Sequence, residues 1–275
     1  MSIDQGIISH YTKGRVLERT LEALRTLGKD PTHPTIDDLA PLDEFHIGGR
    51  EATEHFVPLL GFRAGQRLID VGCGVGGPAR YVARSTLCHV TGIDLTPEHI
   101  EVATELSRLT GLAERTRFEV ASGTALPFAD GAFDGAMMLH VGMNIADKAA
   151  LTREARRVLK PGASFGIYDI MRTGAGDITY PCPWSGKPET SFPETPETYK
   201  RHLEAAGFTI RHEASQREFA LDVGRRGREE AAKGSPMPAI LRTLRGDDFS
   251  TRIGNLGAEI AAGRLAPYEI IAVAA

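Results

Sequence analysis

Residues 67–78 read Arg67-Leu68-Ile69-Asp70-Val71-Gly72-Cys73-Gly74-Val75-Gly76-Gly77-Pro78. An apolar, branched run leads into four glycines within six positions, and then into a proline. The run predicts a β-strand. The proline suits the first turn of a helix, where its missing N–H costs nothing. A strand, a glycine turn and a helix start together form a nucleotide site. Glycine lets the backbone approach a ligand, and the first N–H groups of the helix are free to bind it. The glycines satisfy both Gly-x-Gly-x-Gly (72, 74, 76) and Gly-x-Gly-x-x-Gly (72, 74, 77), so the loop alone does not separate nucleotide classes.

The pattern continues on both sides. Strands are predicted over 88–93, 116–120, 133–139 and 164–169, with helical spacing between them. Such alternation predicts an α/β fold with a parallel sheet and crossover helices. Upstream, Val16, Leu17, Leu21, Leu24 and Leu27 predict one helix from Thr12 to Leu27, then a polar linker from Lys29 to Pro41 and a helix over 50–60. Downstream, residues 172–195 are rich in Gly and Pro and hold Tyr180, Trp184 and Phe192. A loop of this length inside a domain is usually functional or disordered. Residues 217–262 read as interrupted helices, and 268–273 as a last strand. The expected organisation is an N-terminal helical cap over 1–60 and a core over 61–275, with lid insertions at 172–195 and 217–262.

Composition narrows the function classes. With 275 residues, 41% of them hydrophobic, the chain can bury the core of one large domain with a cap, or of two small ones. Net charge is -4. The densest basic run, Arg225-Arg226-Gly227-Arg228, meets Glu229-Glu230 at once and reads as a solvated helix face, so no nucleic-acid partner is expected. No apolar stretch reaches membrane-spanning length, so no membrane partner is expected either. Cys73, Cys88 and Cys182 lack metal-ligand spacing and do not suggest a disulfide framework. No metal is expected, and with no secretory signal in Met1-Ser2-Ile3-Asp4-Gln5 the expected compartment is the cytoplasm.

Two acids separate the nucleotide classes. Asp70 stands two residues before Gly72, at the strand tip. A dinucleotide would carry its pyrophosphate past that carboxylate and be repelled. S-adenosylmethionine has no phosphate; its cationic amino group and sulfonium are attracted. Asp94 lies 20 residues beyond Gly74 and ends the second strand, where a carboxylate accepts from ribose hydroxyls in either class.

The chain also carries Gly92-Ile93-Asp94, Leu126-Pro127-Phe128, Phe133-Asp134 and Leu159-Lys160-Pro161-Gly162, in that order. With the glycine loop, this series resembles the class I S-adenosylmethionine-dependent methyltransferases of the small-molecule branch. The resemblance covers roughly residues 45–170. Phe45-His46-Ile47-Gly48-Gly49 and the segment from His140 to Lys148 are similar to sarcosine/dimethylglycine N-methyltransferases, and to prenyl and sterol C-methyltransferases. The resemblance implies a Rossmann-like seven-stranded sheet, mostly parallel with an antiparallel last strand. It implies Asp70, Gly72, Gly74 and Gly76 at the methionine end of the cofactor, Asp94 on the ribose and Leu95 beside the adenine. Ser122, Gly123, Thr124 and Leu139 complete the implied cofactor set. Ser122 stands where relatives carry an acid for the adenine amino group.

Methyl transfer from a sulfonium is an in-line displacement that needs alignment and a dry site. His140 follows the fourth strand and is a candidate base or orienter. Tyr11, in His10-Tyr11-Thr12, resembles the N-terminal tyrosine segment that folds over the cofactor. His46, Met143, Asn144, Tyr180 and Trp184 are candidates for contact with the small-molecule methyl acceptor. A nicotinamide-dependent oxidoreductase is one alternative. A cofactor-binding cyclase or regulator that does not methylate is another. The apolar faces of the N-terminal helix further suggest a homo-oligomer.

Overall fold

The computed structural model describes residues 3–12 and 14–275. Its strands are Arg67–Val71 (β1), His89–Asp94 (β2), Thr116–Val120 (β3), Phe133–Leu139 (β4), Leu159–Arg172 (β5), Phe208–Ser215 (β6) and Leu265–Ala274 (β7). They form one sheet in the order β3-β2-β1-β4-β5-β7-β6, with β7 antiparallel to both of its neighbours. The central pairs are parallel, and their Leu, Ile, Val and Met side chains are buried on both faces. Strand order reverses between β1 and β4. The crossovers there leave on opposite faces, so a crevice opens at the carboxyl ends of these two strands.

The helices are Ile3–Tyr11 (α1), Val16–Thr26 (α2), Ile36–Asp43 (α3), Gly49–Leu59 (α4), Gly77–Thr86 (α5), Pro97–Leu109 (α6), Lys148–Val158 (α7), Pro196–Ala205 (α8), Arg217–Ala232 (α9), Met237–Arg245 (α10) and Phe249–Ala261 (α11). Among the described residues none is long and apolar enough to cross a membrane.

The N-terminal region differs from the expectation in two places. The helix expected from Thr12 to Leu27 starts only at Val16, as α2, and a separate helix, α1, precedes it; the chain turns at Gly14 and Arg15, where φ is 66° and 58°. Glu98, from the first turn of α6, accepts from the backbone N–H of Gly14 and of Val16, each at 3.0 Å, and so caps α2. The stretch Lys29–Pro41 is no plain linker. It contains most of α3, started by a capping box in which Thr35 and Asp38 exchange side-chain-to-backbone bonds at 3.0 and 3.1 Å. The strand β5 also starts earlier than expected and runs through Lys160-Pro161-Gly162.

The apolar side of α2 does not face outward. Leu24 is buried with Leu39, Leu42, Leu106, Ile240 and Leu244, and Val16, Leu17 and Leu21 pack on the same cluster. The face expected to bind a second subunit thus covers the chain's own core.

Behind the glycine loop lies a buried ion pair. Arg80 of α5 is 0% exposed and Asp43, the last residue of α3, is 4% exposed. Arg80 Nη2 donates to Asp43 Oδ2 and to the Val75 carbonyl, both at 2.7 Å, and Nη1 donates to the Ala103 carbonyl of α6 at 3.2 Å. Removing one partner of such a pair leaves an uncompensated buried charge. Arg80→Met is expected to destabilise the protein by about 3–5 kcal/mol in urea unfolding, and Asp43→Leu added to it should recover most of that loss. An additive double variant would show that the two residues are not coupled.

Candidate active site

A cavity of about 1930 Å³ lies over the carboxyl ends of β1, β2 and β4. Its floor is the glycine loop. Its walls are α1 and residues 43–51, and α9 to α11 close it from above.

The loop is built from its glycines in different ways. Gly72 has φ 75°, and a Cβ there would stand 2.4 Å from Val141 Cγ2, so the corner after β4 rests directly on the loop. Gly74 also has positive φ, but a Cβ there would meet nothing within 4 Å, because it faces the cavity. Gly76 lies outside the lining. It is the left-handed N-cap of α5, and Arg80 and Phe118 fill the space behind it. Its role is structural, whereas Gly72 and Gly74 face the cavity.

Asp70, one residue before the end of β1, is 2% exposed, and its Oδ2 has no hydrogen-bond partner among the described residues. Burial, with the charges of Asp94 and Glu44 nearby, pushes its carboxyl up to about 8. Asp94 is handled differently. Its Oδ2 accepts from the Gly74 N–H at 3.0 Å and its Oδ1 from the Thr96 N–H at 2.8 Å, with His99 Nδ1 at 3.4 Å. Burial opposes ionisation of Asp94, but His99 and Thr96 outweigh it and hold the carboxyl below its usual range. Asp94 braces the loop and keeps a lone pair on Oδ2 for a ligand. Leu95, Ser122, Gly123, Thr124 and Leu139 line the same end. Ser122 Oγ lies 2.9 Å from Thr124 Oγ1.

At the end of β4 the chain turns through His140, whose φ of 55° is uncommon for a residue with a Cβ. Its N–H donates to the Tyr168 carbonyl at 2.7 Å. The imidazole lies 5.1 Å from the Tyr168 ring and 6.0 Å from that of His46, and its Nε2 has no partner. His46 Nε2 lies 2.9 Å from the Gly49 carbonyl and 3.0 Å from Thr53 Oγ1. Burial drives His46 down to about 4 and His140 well below its usual range, so both rings are neutral at pH 7.

Tyr11 crosses the cavity mouth and donates to Asn144 Oδ1 at 3.4 Å, with its ring 5.9 Å from His99. Met143 accepts the Phe192 N–H at 2.8 Å, and Trp184 donates to Ser191 Oγ at 2.8 Å; these bonds fold the 172–195 segment against the site. Met143, Asn144 and Trp184 line the cavity. Tyr180 does not. It packs behind with Ile170 and Leu256 and belongs to the support of the loop. Arg172, whose Nη1 donates to the Gly176 carbonyl at 2.8 Å, also faces away.

His99, Glu44 and Arg245 are among the cavity residues that had no signal of their own in the sequence. His99 is recoverable in hindsight, five residues after Asp94 on the first turn of the helix that follows. Arg245 stands on α10, in no motif.

Residues 69–167 match the family described as a methyltransferase domain. The chain is 34% identical over 168 residues to the methyltransferase GfsG of Streptomyces halstedii, across 60% of this chain and 59% of that one. It is 38% identical over 125 residues to a cycloartenol-C-24-methyltransferase of Arabidopsis thaliana, across 45% of this chain and 37% of that one. The chain thus spans between a third and three fifths of these relatives' lengths. Its fold is like that of a geranyl diphosphate C-methyltransferase from Streptomyces coelicolor, at TM-score 0.71 and 16% identity, covering 100% of this chain and 98% of that one. Residues 69–167 thus carry a methyltransferase domain, and the glycine loop, the paired acids and the order of the sheet agree with these likenesses.

Proposed function

We propose that the protein transfers a methyl group from S-adenosylmethionine to a small molecule that gives up a proton as it is methylated. The observation that carries this reading is the buried Asp70 carboxyl, without a partner on Oδ2, at the strand tip beneath the glycine loop. It suits the cationic amino group of a phosphate-free cofactor and disfavours the pyrophosphate of a nicotinamide dinucleotide. The remaining donor set fits as well. Asp94 retains acceptor capacity for ribose hydroxyls, and Gly74 leaves the space open.

The bound cofactor supplies a methyl group already activated on a sulfonium. The chain's own residues orient, exclude water and handle the proton. Tyr11 and the α9–α11 segment cover the site. His140 Nε2 takes the proton that the acceptor releases and becomes an imidazolium. His46 and His140 start neutral, so neither would add a positive charge to the cavity before transfer. His46, Met143, Asn144 and Trp184 shape the acceptor side. The free, buried cysteines suit a reducing compartment such as the cytoplasm.

Formation of S-adenosylhomocysteine with a panel of amine, hydroxyl and carbon acceptors tests the reading. Binding of the cofactor with no methylation of any acceptor would favour a non-methylating enzyme on this scaffold. His140→Asn, chosen because asparagine tolerates positive φ, should lower kcat by about 10²-fold or more and leave S-adenosylhomocysteine affinity unchanged. An unchanged kcat would remove His140 from the proton path.

Asp70 predicts a pH dependence. Its carboxyl rises from 3.8 to about 8 in the folded, empty site, so at neutral pH it is protonated and must lose that proton to receive a cation. S-adenosylhomocysteine affinity should therefore fall by up to about tenfold per pH unit as pH drops below 8, and calorimetry should show proton release. The native state holds a proton that the unfolded state lacks between these two values, so the empty protein loses stability as pH rises across that window. Asp70→Asn should bind more weakly, with a flat pH profile, and should melt at a higher temperature than wild type at pH 8. A pH-dependent affinity retained in Asp70→Asn would place the titrating group elsewhere.

A further inference from the structure

The amino-acid end of S-adenosylmethionine is a zwitterion, and Asp70 answers only its ammonium. A carboxylate taken out of water needs a cation or several donors. Among the described residues, four arginines and no lysine line the cavity: Arg50, Arg228, Arg245 and Arg252. Arg50 is paired with Glu44 and Asp37, and Arg252 with Asp248. Arg228 is exposed.

Arg245 is different. It ends α10, its guanidinium lies over the Phe45 ring, and its Nη2 is shut off from solvent with no hydrogen-bond partner among the described residues. The nearest acid whose charge it feels is Asp43, already held by Arg80 at 2.7 Å; the other group is the neutral phenol of Tyr11. Burial works against its charge. The surroundings connect it to the loop. Asp43 closes on Gly77, where a Cβ would stand 2.6 Å from the Asp43 carbonyl, and Tyr11 reaches across to Asn144 after β4.

On the cofactor reading above, we infer that Arg245 is the anchor for the carboxylate of the cofactor's amino-acid end, so that α10 and the β1 loop hold opposite charges of one zwitterion. The planar fork of arginine matches a carboxylate with two parallel N–H···O bonds. The cover over the site would then be drawn shut by the cofactor itself.

The test compares S-adenosylhomocysteine with its decarboxylated counterpart, the adenosyl thioether of 3-aminopropanethiol. Both are titrated against wild type, Arg245→Met and Arg245→Lys. Wild type should bind the decarboxylated ligand about tenfold to a hundredfold more weakly, the range of a lost charge-assisted pair. Arg245→Met should lose the same factor for S-adenosylhomocysteine and nothing for the decarboxylated ligand, while Arg245→Lys recovers part of the loss. Thermal melting of the empty Arg245→Met protein should match or exceed wild type, because an unpaired buried cation has been removed. Equal weakening of both ligands, or of neither, in Arg245→Met overturns the assignment alone. Unchanged cofactor binding with a raised KM for an anionic acceptor also overturns it, since the arginine then serves the acceptor. A wild-type protein that binds neither ligand overturns the cofactor reading and the anchor with it.

Discussion

The pairing of Arg80 with Asp43 is the constraint on which the site depends. Arg80 stands on the helix that the glycine loop opens into, and its two terminal nitrogens reach the loop carbonyl of Val75, the end of α3 and the body of α6. Three segments far apart in sequence are thereby fixed at one point by direct hydrogen bonds. The glycine loop gains no rigidity from its own residues, since glycine is the freest of all. It is held from behind, by a charge pair whose disruption would leave an ion in an apolar interior. Asp94 completes the hold from the front by taking the Gly74 N–H.

Buried polar atoms without a partner among the described residues occur in this pair, at Arg80 Nε and Asp43 Oδ1, and again around the cavity. Asp70, His140 and Arg245 each keep a buried polar atom without a partner. Native interiors rarely tolerate this, and each such group lowers the stability of the empty protein. A ligand with an ammonium, a carboxylate and a transferable proton would supply the missing partners. The neutral histidine pair follows the same logic, because desolvation keeps a second positive charge away from a cationic donor.

Much of this was legible in the sequence, and the parts that were not share a cause. The strands β1, β3 and β4 could be placed because their apolar runs end in turn residues, and β3 has the expected boundaries 116–120. Asp70, Gly72, Gly74 and Asp94 could be placed because they sit at fixed offsets from the ends of β1 and β2. The break between α1 and α2 was hidden, because its cap is a carboxylate 82 residues away. The helix α3 was hidden because Asp38 stands where a capping box usually has Glu or Gln, and Pro41 falls inside the helix. Gly76 and Tyr180 have the right residue types in the right segments, yet packing turns them to the back of the site. Arg245 gave no signal, because its surroundings come from Tyr11, Asp43 and Phe45, some two hundred positions earlier.

The cover formed by α9 to α11 enters and leaves the sheet on neighbouring strands. Ser215 of β6 pairs with Tyr268 of β7, and the Gln216 N–H is tied to the Pro267 carbonyl at 2.8 Å. The two ends of the segment are thus stitched together whatever lies between them. Each doubling of a loop's length adds only about 0.6 kcal/mol of closure entropy. Residues 217–264 therefore behave as a cassette. Its loops can vary in length without shifting the strands that carry Asp70 and Asp94, so long as Ile240 and Leu244 keep α10 on the core and Arg245 keeps its place over Phe45.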